Sequence, residues 1–244
     1  AEIAFWDKRQ LVKKINLNSL YGAILNPGCR FFDKRIGQST TLTGRGIVQH
    51  MSAEVNKTIT GKYDHVGDAV IYGDTDSVYF SAYPSLKKDI DNGSIPWTKD
   101  NVIALYDQIA DQVNKTFPDF MGRAYHCPKS RATVIKAGRE IVGETGLFIT
   151  KKRYAILVFD DEGNRKDVEG KRGKVKAMGL DLKRSDTPVF MQDFLKELLD
   201  MVLFKQPESD ILNAITEFRT LFKDRPGYEK GSPKRANNIL HYQR

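Results

Sequence analysis

The spacing of apolar residues changes along the chain and separates helical ends from a strand-rich middle. Apolar residues that recur every three to four positions are typical of helices with one buried face. This spacing predicts helices at residues 7–25, 43–60 and 100–116, and two more that begin near Thr187 and Ser209.

Capping residues and helix breakers indicate where some of these helices begin and end. Asp7 and Gln10 have the spacing of a capping box, which predicts that the first helix begins at Asp7. The sequence Asn-Pro-Gly at 26–28 is expected to end that helix. Near the C-terminus, Thr187 and Pro188 are expected to be the N-cap and first residue of a helix.

The middle of the chain contains short β-prone segments. Residues 69–72 and 78–80 flank the sequence Gly-Asp-Thr-Asp-Ser, which predicts a β-hairpin with an acidic turn. Residues 132–136 and 148–160 are also strand-like, and the latter segment is followed by a turn at 161–164. Helices at both ends and strands between them predict an α+β fold rather than a repeating β-α-β one.

Composition restricts the classes of protein that fit these elements. Of the 244 residues, 40% are hydrophobic, which is enough to form a core and excludes wholesale disorder. No apolar stretch approaches the roughly 18 residues of a membrane-spanning helix. Cys29 and Cys127 are too few for a disulfide framework and are expected to be reduced thiols. The expected location is cytoplasmic, in the host cytoplasm if the protein is viral.

Most of the positive charge lies in one segment. The chain has 39 Lys and Arg residues against 31 Asp and Glu residues, a net charge of +8. Residues 129–184 contain 15 of these basic residues and 8 of the acidic ones, so they carry almost all of the excess. Such a segment is typical of a polyanion-binding surface. A solvated, lysine-rich surface is the alternative.

The acidic hairpin is a candidate metal site. Asp74 and Asp76 lie two residues apart, and in strand geometry such residues point to the same side. Two neighbouring carboxylates favour a divalent cation such as Mg²⁺, and two ions could promote in-line phosphoryl transfer. The alternative is ordinary turn chemistry, in which Asp bonds nearby backbone donors. An EF-hand is excluded, because its sixth and twelfth positions would be Tyr79 and Ser85.

The first helix carries a polar stripe between apolar positions. Lys14, Asn18 and Tyr21 follow helical spacing and lie on one face. A triphosphate could bind Lys14 and Asn18, while Tyr21 offers a flat stacking surface and Gly22 leaves space beside it. The alternative is a lysine that reaches solvent and a tyrosine in the core.

Three motifs together resemble those of one enzyme family. Residues 14–22 fit K-x-x-x-N-S-x-Y-G, residues 72–77 fit Y-G-D-T-D-S, and residues 151–154 fit K-K-R-Y. In this order they are similar to the fingers-helix, catalytic-hairpin and primer-contact motifs of B-family DNA polymerases, and most of all to those of tailed-phage replicative enzymes. The resemblance covers about residues 5–205.

The resemblance implies a nucleotidyltransferase of DNA replication, with one nucleotide-binding group on the first helix. Lys14 and Asn18 would contact the triphosphate of the incoming nucleotide. Tyr21 and Gly22 would form the surface under the nascent base pair.

The resemblance also implies the metal ligands. Asp76 would bind both metal ions, Asp74 would contribute more weakly, and the ions would be two Mg²⁺, with Mn²⁺ as a substitute. Glu140 resembles a further family carboxylate near the metals. Gly138, two residues earlier, stands where relatives carry Asp, which weakens that correspondence.

The implied DNA contacts come from two segments. Thr75 would lie near the primer end, while Lys151, Lys152 and Arg153 would hold the primer strand with Tyr154 nearby. The implied partners are primer-template DNA, deoxynucleoside triphosphates and, as a possibility of the family, a sliding clamp.

The implied fold is a B-family palm, an antiparallel sheet with a catalytic hairpin, joined to parts of two other domains. Residues 1–27 would be the C-terminal helix of the fingers, and residues 185–244 the start of a helical thumb. Residues 28–184 would be the palm, with its catalytic hairpin at 69–80 and its primer-contact segment at 148–160.

One departure from the family pattern affects the expected activity. The family carries another catalytic Asp in a D-x-x-S-L-Y-P-S motif before the fingers helix, and the sequence contains no such motif. The first residue is also not Met. The chain is therefore expected to be a fragment or the C-terminal partner of a split polymerase, and to be inactive alone. The alternatives are a non-catalytic DNA-binding module and a two-metal nuclease.

Overall fold

The computed structural model describes residues 2–168 and 170–232 and has an α+β fold with small antiparallel sheets. The α+β class expected from the sequence is therefore confirmed. The chain divides into two compact units, and the division falls within one long helix, α4, at Lys99–Tyr125. The first unit comprises residues up to 97 together with 109–137, and the second comprises 98–108 together with residues from 138 onward.

The first unit is mainly helical. It contains helices α1 (Glu2–Leu25) and α2 (Lys34–Thr60), the hairpin strands β1 (Val70–Asp74) and β2 (Ser77–Phe80), helix α3 (Tyr83–Asp91), the later part of α4 and the short helix α5 (Lys129–Ala132). Its core includes a stripe on α4 with helical spacing, formed by Ile109, Val113, Phe117 and Met121. This apolar stripe continues past Pro118, so the helix extends to Tyr125 rather than ending near residue 116 as predicted.

Helix α2 begins earlier than its apolar pattern predicts. Asp33 is the N-cap, and its carboxylate accepts a hydrogen bond from the backbone N–H of Arg35 at 2.8 Å. The expected start at Thr43 was wrong, because residues 34–42 are largely exposed and carry no apolar stripe. The helix ends at Gly61, whose left-handed φ of 79° places its N–H against the Lys57 carbonyl.

Two other predicted features of this unit are wrong. Asp7 and Gln10 lie inside α1, which begins at Glu2, so their spacing does not mark a cap. Residues 132–136, predicted as a strand, comprise the last residue of α5 followed by a turn and irregular chain. The β-branched residues there have a strand-like composition, but within residues 2–168 and 170–232 no strand pairs with them.

The buried amide of Asn56 joins α2 to the start of the hairpin. The residue is 0% exposed, and its side-chain oxygen accepts hydrogen bonds from the N–H groups of Ala69 at 3.1 Å and Val70 at 3.3 Å. Its amide nitrogen donates to the carbonyl of Asp64 at 2.7 Å. Gly67 leaves space for it, since a Cβ there would lie 2.5 Å from the Asn56 amide. One side chain therefore fixes where the loop ends and β1 begins.

His50 forms a second buried polar centre in this unit. Its two ring nitrogens are each 2.8 Å from a hydroxyl, that of Tyr63 and that of Thr116, and its ring stacks on Phe120 at 4.0 Å. In the neutral imidazole one nitrogen donates and the other accepts, so both hydroxyl contacts are satisfied. The packing therefore suits the uncharged form.

The second unit is built around a sheet. Strand β4 (Arg153–Asp161) lies between β3 (Ile141–Thr150) on one edge and β5 (Asn164–Arg165) with β6 (Lys174–Met178) on the other. Because β4 is paired on both sides, its residues 154–160 are all buried, as expected for a central apolar strand. The strand-like stretch 148–160 is thus two strands joined by a two-residue turn, and the turn predicted at 161–164 is confirmed.

Helix α6 packs against this sheet and is followed by two further helices. After a 3₁₀ turn at Asp181–Lys183 come α6 (Val189–Leu203), α7 (Glu208–Asp224) and α8 (Gly227–Lys230). Ala155 and Leu157 of β4 form the core with Leu199 and Leu203 of α6. Pro188 is the N-cap of α6, so the prediction of Thr187 as the cap was wrong by one residue. Residues 233–244 of the C-terminal segment lie outside the described residues.

Replacement of Asn56 by Ala should destabilise the protein, because it removes the side-chain partner of two backbone N–H groups, one in a buried and one in a half-buried residue, and of one carbonyl. We expect a loss of about 2–4 kcal/mol in the free energy of unfolding, measured by urea denaturation. Asn92 is the matched control, since its side chain caps an exposed turn through Ser94 N–H at 2.9 Å. If Asn92→Ala lowers the free energy of unfolding as much as Asn56→Ala does, the structural role given to the Asn56 amide is contradicted.

His50 should make stability depend on pH. Burial lowers the pKa of His50 below its ordinary value, although Glu54 opposes this shift and Arg123 and Lys57 add to it. The unfolded chain then binds more protons than the folded one, so stability falls as the pH drops below about 6.5. We expect a slope of up to about 1.4 kcal/mol per pH unit in the free energy of unfolding, measured by denaturation between pH 7 and pH 5. The His50→Gln variant should lack this slope, and the exposed His65→Gln variant should retain it.

Candidate nucleotide and nucleic-acid site

The acidic turn is a tight hairpin in the first unit. Asp74 pairs with Ser77 across the ladder, and Thr75 and Asp76 form the turn between them. Thr75 has a φ of 48°, and the N–H of Asp76 donates to the carbonyl of Asp74 at 2.6 Å. The predicted hairpin is therefore confirmed, but Asp76 lies in the turn rather than in a strand. The strand rule that places alternate residues on one side does not apply to this pair.

The side chains at the turn are arranged around Asp74. Its carboxylate accepts a hydrogen bond from the Thr75 hydroxyl at 3.2 Å, and its carbonyl accepts one from the Ser77 hydroxyl at 3.1 Å. Asp74 is half-buried, whereas Asp76 is exposed. The two carboxylates could supply a minority of the ligands of a hard cation, with water and phosphate oxygens completing its coordination. Within residues 2–168 and 170–232, no group of three or more Asp, Glu, His or Cys residues is placed to hold a metal ion.

Glu140, the third metal-ligand candidate, belongs to the second unit. Its carboxylate accepts a hydrogen bond from the ammonium group of Lys176 at 3.0 Å, and its backbone carbonyl accepts one from the N–H of Glu162 at 2.7 Å. The side chain is therefore engaged in an ion pair on the sheet, directly before β3. The structure thus gives the Glu140 carboxylate a cationic neighbour.

Helix α1 presents its polar stripe on an exposed surface. Lys14 and Asn18 are exposed, and Tyr21 is 39% exposed. A Cβ added to Gly22 would meet no atom within 4 Å, so there is open space beside Tyr21. The alternative, a tyrosine in the core, does not fit this exposure.

The hydroxyl of Tyr21 is fixed by a residue that the sequence patterns did not identify. The Tyr21 and Thr41 hydroxyl oxygens are 2.8 Å apart, and the Thr41 hydroxyl donates to the carbonyl of Gly37 at 2.9 Å. Since Thr41 has only one hydroxyl proton, Tyr21 is the donor of the first bond. A Cβ on Gly37 would come within 2.0 Å of the Leu25 side chain, so this glycine lets α1 and α2 approach closely. No signal in the sequence links positions twenty residues apart, so Thr41 could be found only in the fold.

The turn between β3 and β4 presents a compact group of cations in the second unit. Lys151 and Lys152 form the turn, Thr150 pairs with Arg153, and all three basic residues are exposed. Lys152 has a left-handed φ of 62°. Tyr154 is 9% exposed, and its ring stacks on that of Phe148 at 5.6 Å. The aromatic residue therefore anchors the turn, while the cations extend from it.

Much of the basic segment is paired with carboxylates inside the second unit. The Arg165 guanidinium holds the pKa of Asp167 well below its usual range, and the ammonium group of Lys99 adds to this effect. The other basic residues in such ion pairs include Arg139, Arg172, Lys176 and Arg184. The net charge of residues 129–184 thus overstates the positive charge available to a ligand, whereas the three basic residues of the 151–153 turn lie together at an exposed position.

Comparison with known proteins shows that the chain is similar to DNA polymerases. Residues 1–118 match the family model of DNA polymerase family B. The chain is 30% identical to the DNA-directed DNA polymerase of Escherichia phage RB69 and 27% identical to that of Enterobacteria phage T4, in each case over 96% of the chain and 26% of the relative. A DNA polymerase of Paramecium bursaria Chlorella virus NY2A is 29% identical over 88% of the chain and 19% of the relative. The chain is therefore similar to a part of DNA polymerases of family B.

The relation is to a part of each enzyme. The chain spans about a quarter of the length of the two phage polymerases. The resemblance inferred from the three motifs is confirmed at the level of the family, and the relatives include viral enzymes. No helix in the described part of the chain is long and apolar enough to cross a membrane.

Proposed function

We propose that the chain is part of a template-directed DNA polymerase that adds deoxynucleotides to the 3′ end of a primer. The observation that carries this proposal is that three family-type motifs, in family order, lie on three elements suited to their chemistry. Residues 14–22 lie on an exposed helix, residues 72–77 on a tight hairpin, and residues 151–154 on a cationic turn. The relatedness to DNA polymerases over nearly the whole chain supports the same function.

The acidic hairpin is proposed as the metal-binding element. Asp76 and, more weakly, Asp74 would hold two Mg²⁺ ions, for which Mn²⁺ would substitute, and Glu140 is retained as a further candidate ligand. Such ions, when bound, would stabilise the negative charge on the reacting phosphate oxygens and on the attacking and leaving oxygens. Asp76 is exposed and Asp74 is half-buried, so both carboxylates could supply oxygens to a hard cation while water and substrate oxygens complete its coordination. Thr75 at the tip would contact the primer end.

Helix α1 is proposed to bind the incoming nucleotide. Lys14 would neutralise triphosphate charge, and Asn18 would donate a hydrogen bond without adding charge. Tyr21 would support the nascent base pair, with the open space at Gly22 next to it. Thr41 would act as a positioning residue, since it holds the Tyr21 hydroxyl and thereby limits rotation of the ring.

The 151–154 turn is proposed to hold the primer strand. Lys151, Lys152 and Arg153 would contact phosphates, which suits an enzyme that must bind any sequence. Tyr154, stacked on Phe148, would fix the base of the turn.

The domain assignment is part of the proposal. Residues 1–27 would belong to the fingers, 28–184 to the palm and 185–244 to the thumb. Catalysis would also require the D-x-x-S-L-Y-P-S motif, supplied in cis or by another polypeptide. The substrates would be primer-template DNA and deoxynucleoside triphosphates, and a sliding clamp is a further candidate partner.

The Asp76→Asn substitution should abolish most nucleotide incorporation, because it removes the charge expected to hold both metal ions. The substitution is made in a chimera in which this chain replaces the matching quarter of the phage RB69 polymerase. We expect a decrease of at least about a hundredfold in primer extension with Mg²⁺, with the affinity for DNA largely kept. The isolated 244-residue chain should show no extension.

The control for this experiment is Asp91→Asn, which removes the same charge from an exposed position at the end of α3. Full activity of the Asp76→Asn chimera would contradict the metal-binding role. DNA cleavage without nucleotides, lost in Asp76→Asn, would instead favour a two-metal nuclease.

The Lys152→Ala substitution should reduce the salt dependence of DNA binding, because it removes one phosphate contact. The slope of log K against log salt concentration should decrease in magnitude by about 1, measured by fluorescence anisotropy with a labelled primer-template duplex. The Lys87→Ala variant, which removes a charge from the exposed surface of α3, should keep the slope of the original chain. Equal slopes for all three proteins would refute a phosphate contact at Lys152.

A further inference from the structure

Two glycines flank the last strand of the sheet, and each lies close to the backbone of a neighbouring segment. Gly173 precedes β6 and Gly179 follows it. A Cβ on Gly173 would lie 2.4 Å from the carbonyl oxygen of Val158, and one on Gly179 would lie 2.0 Å from that of Lys152. Both atoms are backbone, so neither can move aside as a flexible side chain could. Only Gly179 makes this approach at the cationic turn.

The backbone conformation at Gly179 disfavours a side chain independently of the contact. Its φ is +62°, in the left-handed region that glycine adopts without steric cost. The residue it meets, Lys152, also has a left-handed φ of 62°. Two left-handed residues are therefore packed against each other, and the second of them is one of the proposed DNA contacts.

The chain cannot relieve a collision by moving Gly179 away, because both of its neighbours are held. Met178 pairs with Tyr154 in the ladder between β6 and β4. Leu180 packs against the core formed by Ala155 and Leu157. An added side chain at 179 would therefore displace the turn itself.

Displacement of the Lys152 carbonyl would move the whole cationic group. That carbonyl belongs to the peptide that joins Lys152 to Arg153, so its rotation changes the directions of both residues. A Cβ at 179 would also lie 3.3 Å from Cγ of Arg153, which is a tight contact with the second cation.

We propose that Gly179 is a positioning residue for DNA binding: by packing against the Lys152 carbonyl, it sets the direction in which the 151–153 turn presents its cations to the primer strand. This inference rests on the proposed function of that turn. It assigns a role in the interface to a residue that has no side chain and contacts no ligand.

The test measures the salt dependence of DNA binding by the full 244-residue chain. A fluorescein-labelled primer-template duplex with a 5′ overhang is the probe, and the slope of log K against log salt concentration is the readout. A merely destabilised protein binds with a lower apparent affinity but keeps its number of phosphate contacts, and hence its slope. Circular dichroism and thermal unfolding report whether each variant is folded.

Gly179→Ala should decrease the magnitude of the slope by about 1 or more, as Lys152→Ala does. In the double variant Gly179→Ala/Lys152→Ala, the slope should equal that of Gly179→Ala alone, since both changes remove the same contact. Gly179→Asn provides a second variant, because Asn tolerates left-handed φ better than Ala but still introduces the Cβ. It should change the slope in the same way.

Two glycines in the same unit serve as matched controls. Gly173→Ala introduces a collision with the β4 backbone at the other end of β6. Gly163→Ala introduces a side chain at a φ of +83° with nothing within 4 Å, so it reproduces the conformational strain without a collision. Both variants should keep the slope of the original chain, even if their melting temperatures fall.

The outcomes separate this inference from the proposed function. If Lys152→Ala lowers the slope but the folded Gly179 variants do not, the positioning role is refuted and the turn remains a DNA contact. If both Gly179 variants fail to fold while Gly173→Ala folds, the residue determines folding rather than the direction of the turn, and the inference is equally overturned. If Lys152→Ala itself leaves the slope unchanged, the proposed contact and the inference both fall.

Discussion

The hydrogen bonds of the Asn56 amide are the interaction on which the proposed catalytic element depends. The hairpin at 70–80 is a two-stranded sheet, and an isolated two-stranded hairpin is only marginally stable in water. Asn56 compensates for this by binding the backbone at the start of β1 from a helix that is itself anchored in the core. The carboxylates at the tip are then held at the end of a short strand whose other end is fixed. A buried amide that is hydrogen-bonded through both its oxygen and its nitrogen is specific as well as stabilising, because losing these partners would leave polar groups buried and unpaired.

The second unit fixes the position of its cationic turn by a different means. Its central strand is paired on both sides and buried at residues 154–160, so the β3–β4 turn at its beginning has a firm base. The stacking of Phe148 on Tyr154 and the approach of Gly179 to Lys152 hold that turn from two sides. Cations placed on such a turn lose less conformational entropy on binding a phosphate than cations on a mobile loop would. The same rigid geometry suits contacts that must ignore base identity, because the phosphate backbone has the same spacing for every sequence.

The ion pairs of the second unit reduce the positive charge that a ligand would meet. The sequence shows an excess of positive charge between residues 129 and 184, but several of those side chains are bound to carboxylates that lie close only after folding. Arg165, for example, bonds to Asp167 nearby and to Asp100, which is 65 residues earlier. These pairs join the early part of α4 to the sheet and leave the turn at 151–153 as the compact exposed cluster. Charge counted along a chain is therefore an upper bound on the charge that a ligand meets.

The sequence by itself indicated the resemblance to B-family polymerases, the α+β class, the acidic hairpin and the position of most helices, because these depend on local spacing and on residues that are adjacent in the chain. It misplaced the starts of α1 and α2 and the end of α4, since a helix boundary depends on caps and on packing partners that the apolar pattern does not contain. It could not identify Thr41, Asn56 or Gly179, because each contacts a segment that is distant in the sequence. The Thr41 hydroxyl bonds to that of Tyr21, and the Asn56 amide bonds to the backbone at the start of β1. Gly179 packs against the carbonyl of Lys152 because it has no side chain. Motifs specify which groups do the chemistry. The residues that position these groups are defined by contacts between distant segments, and only the tertiary structure decides those contacts.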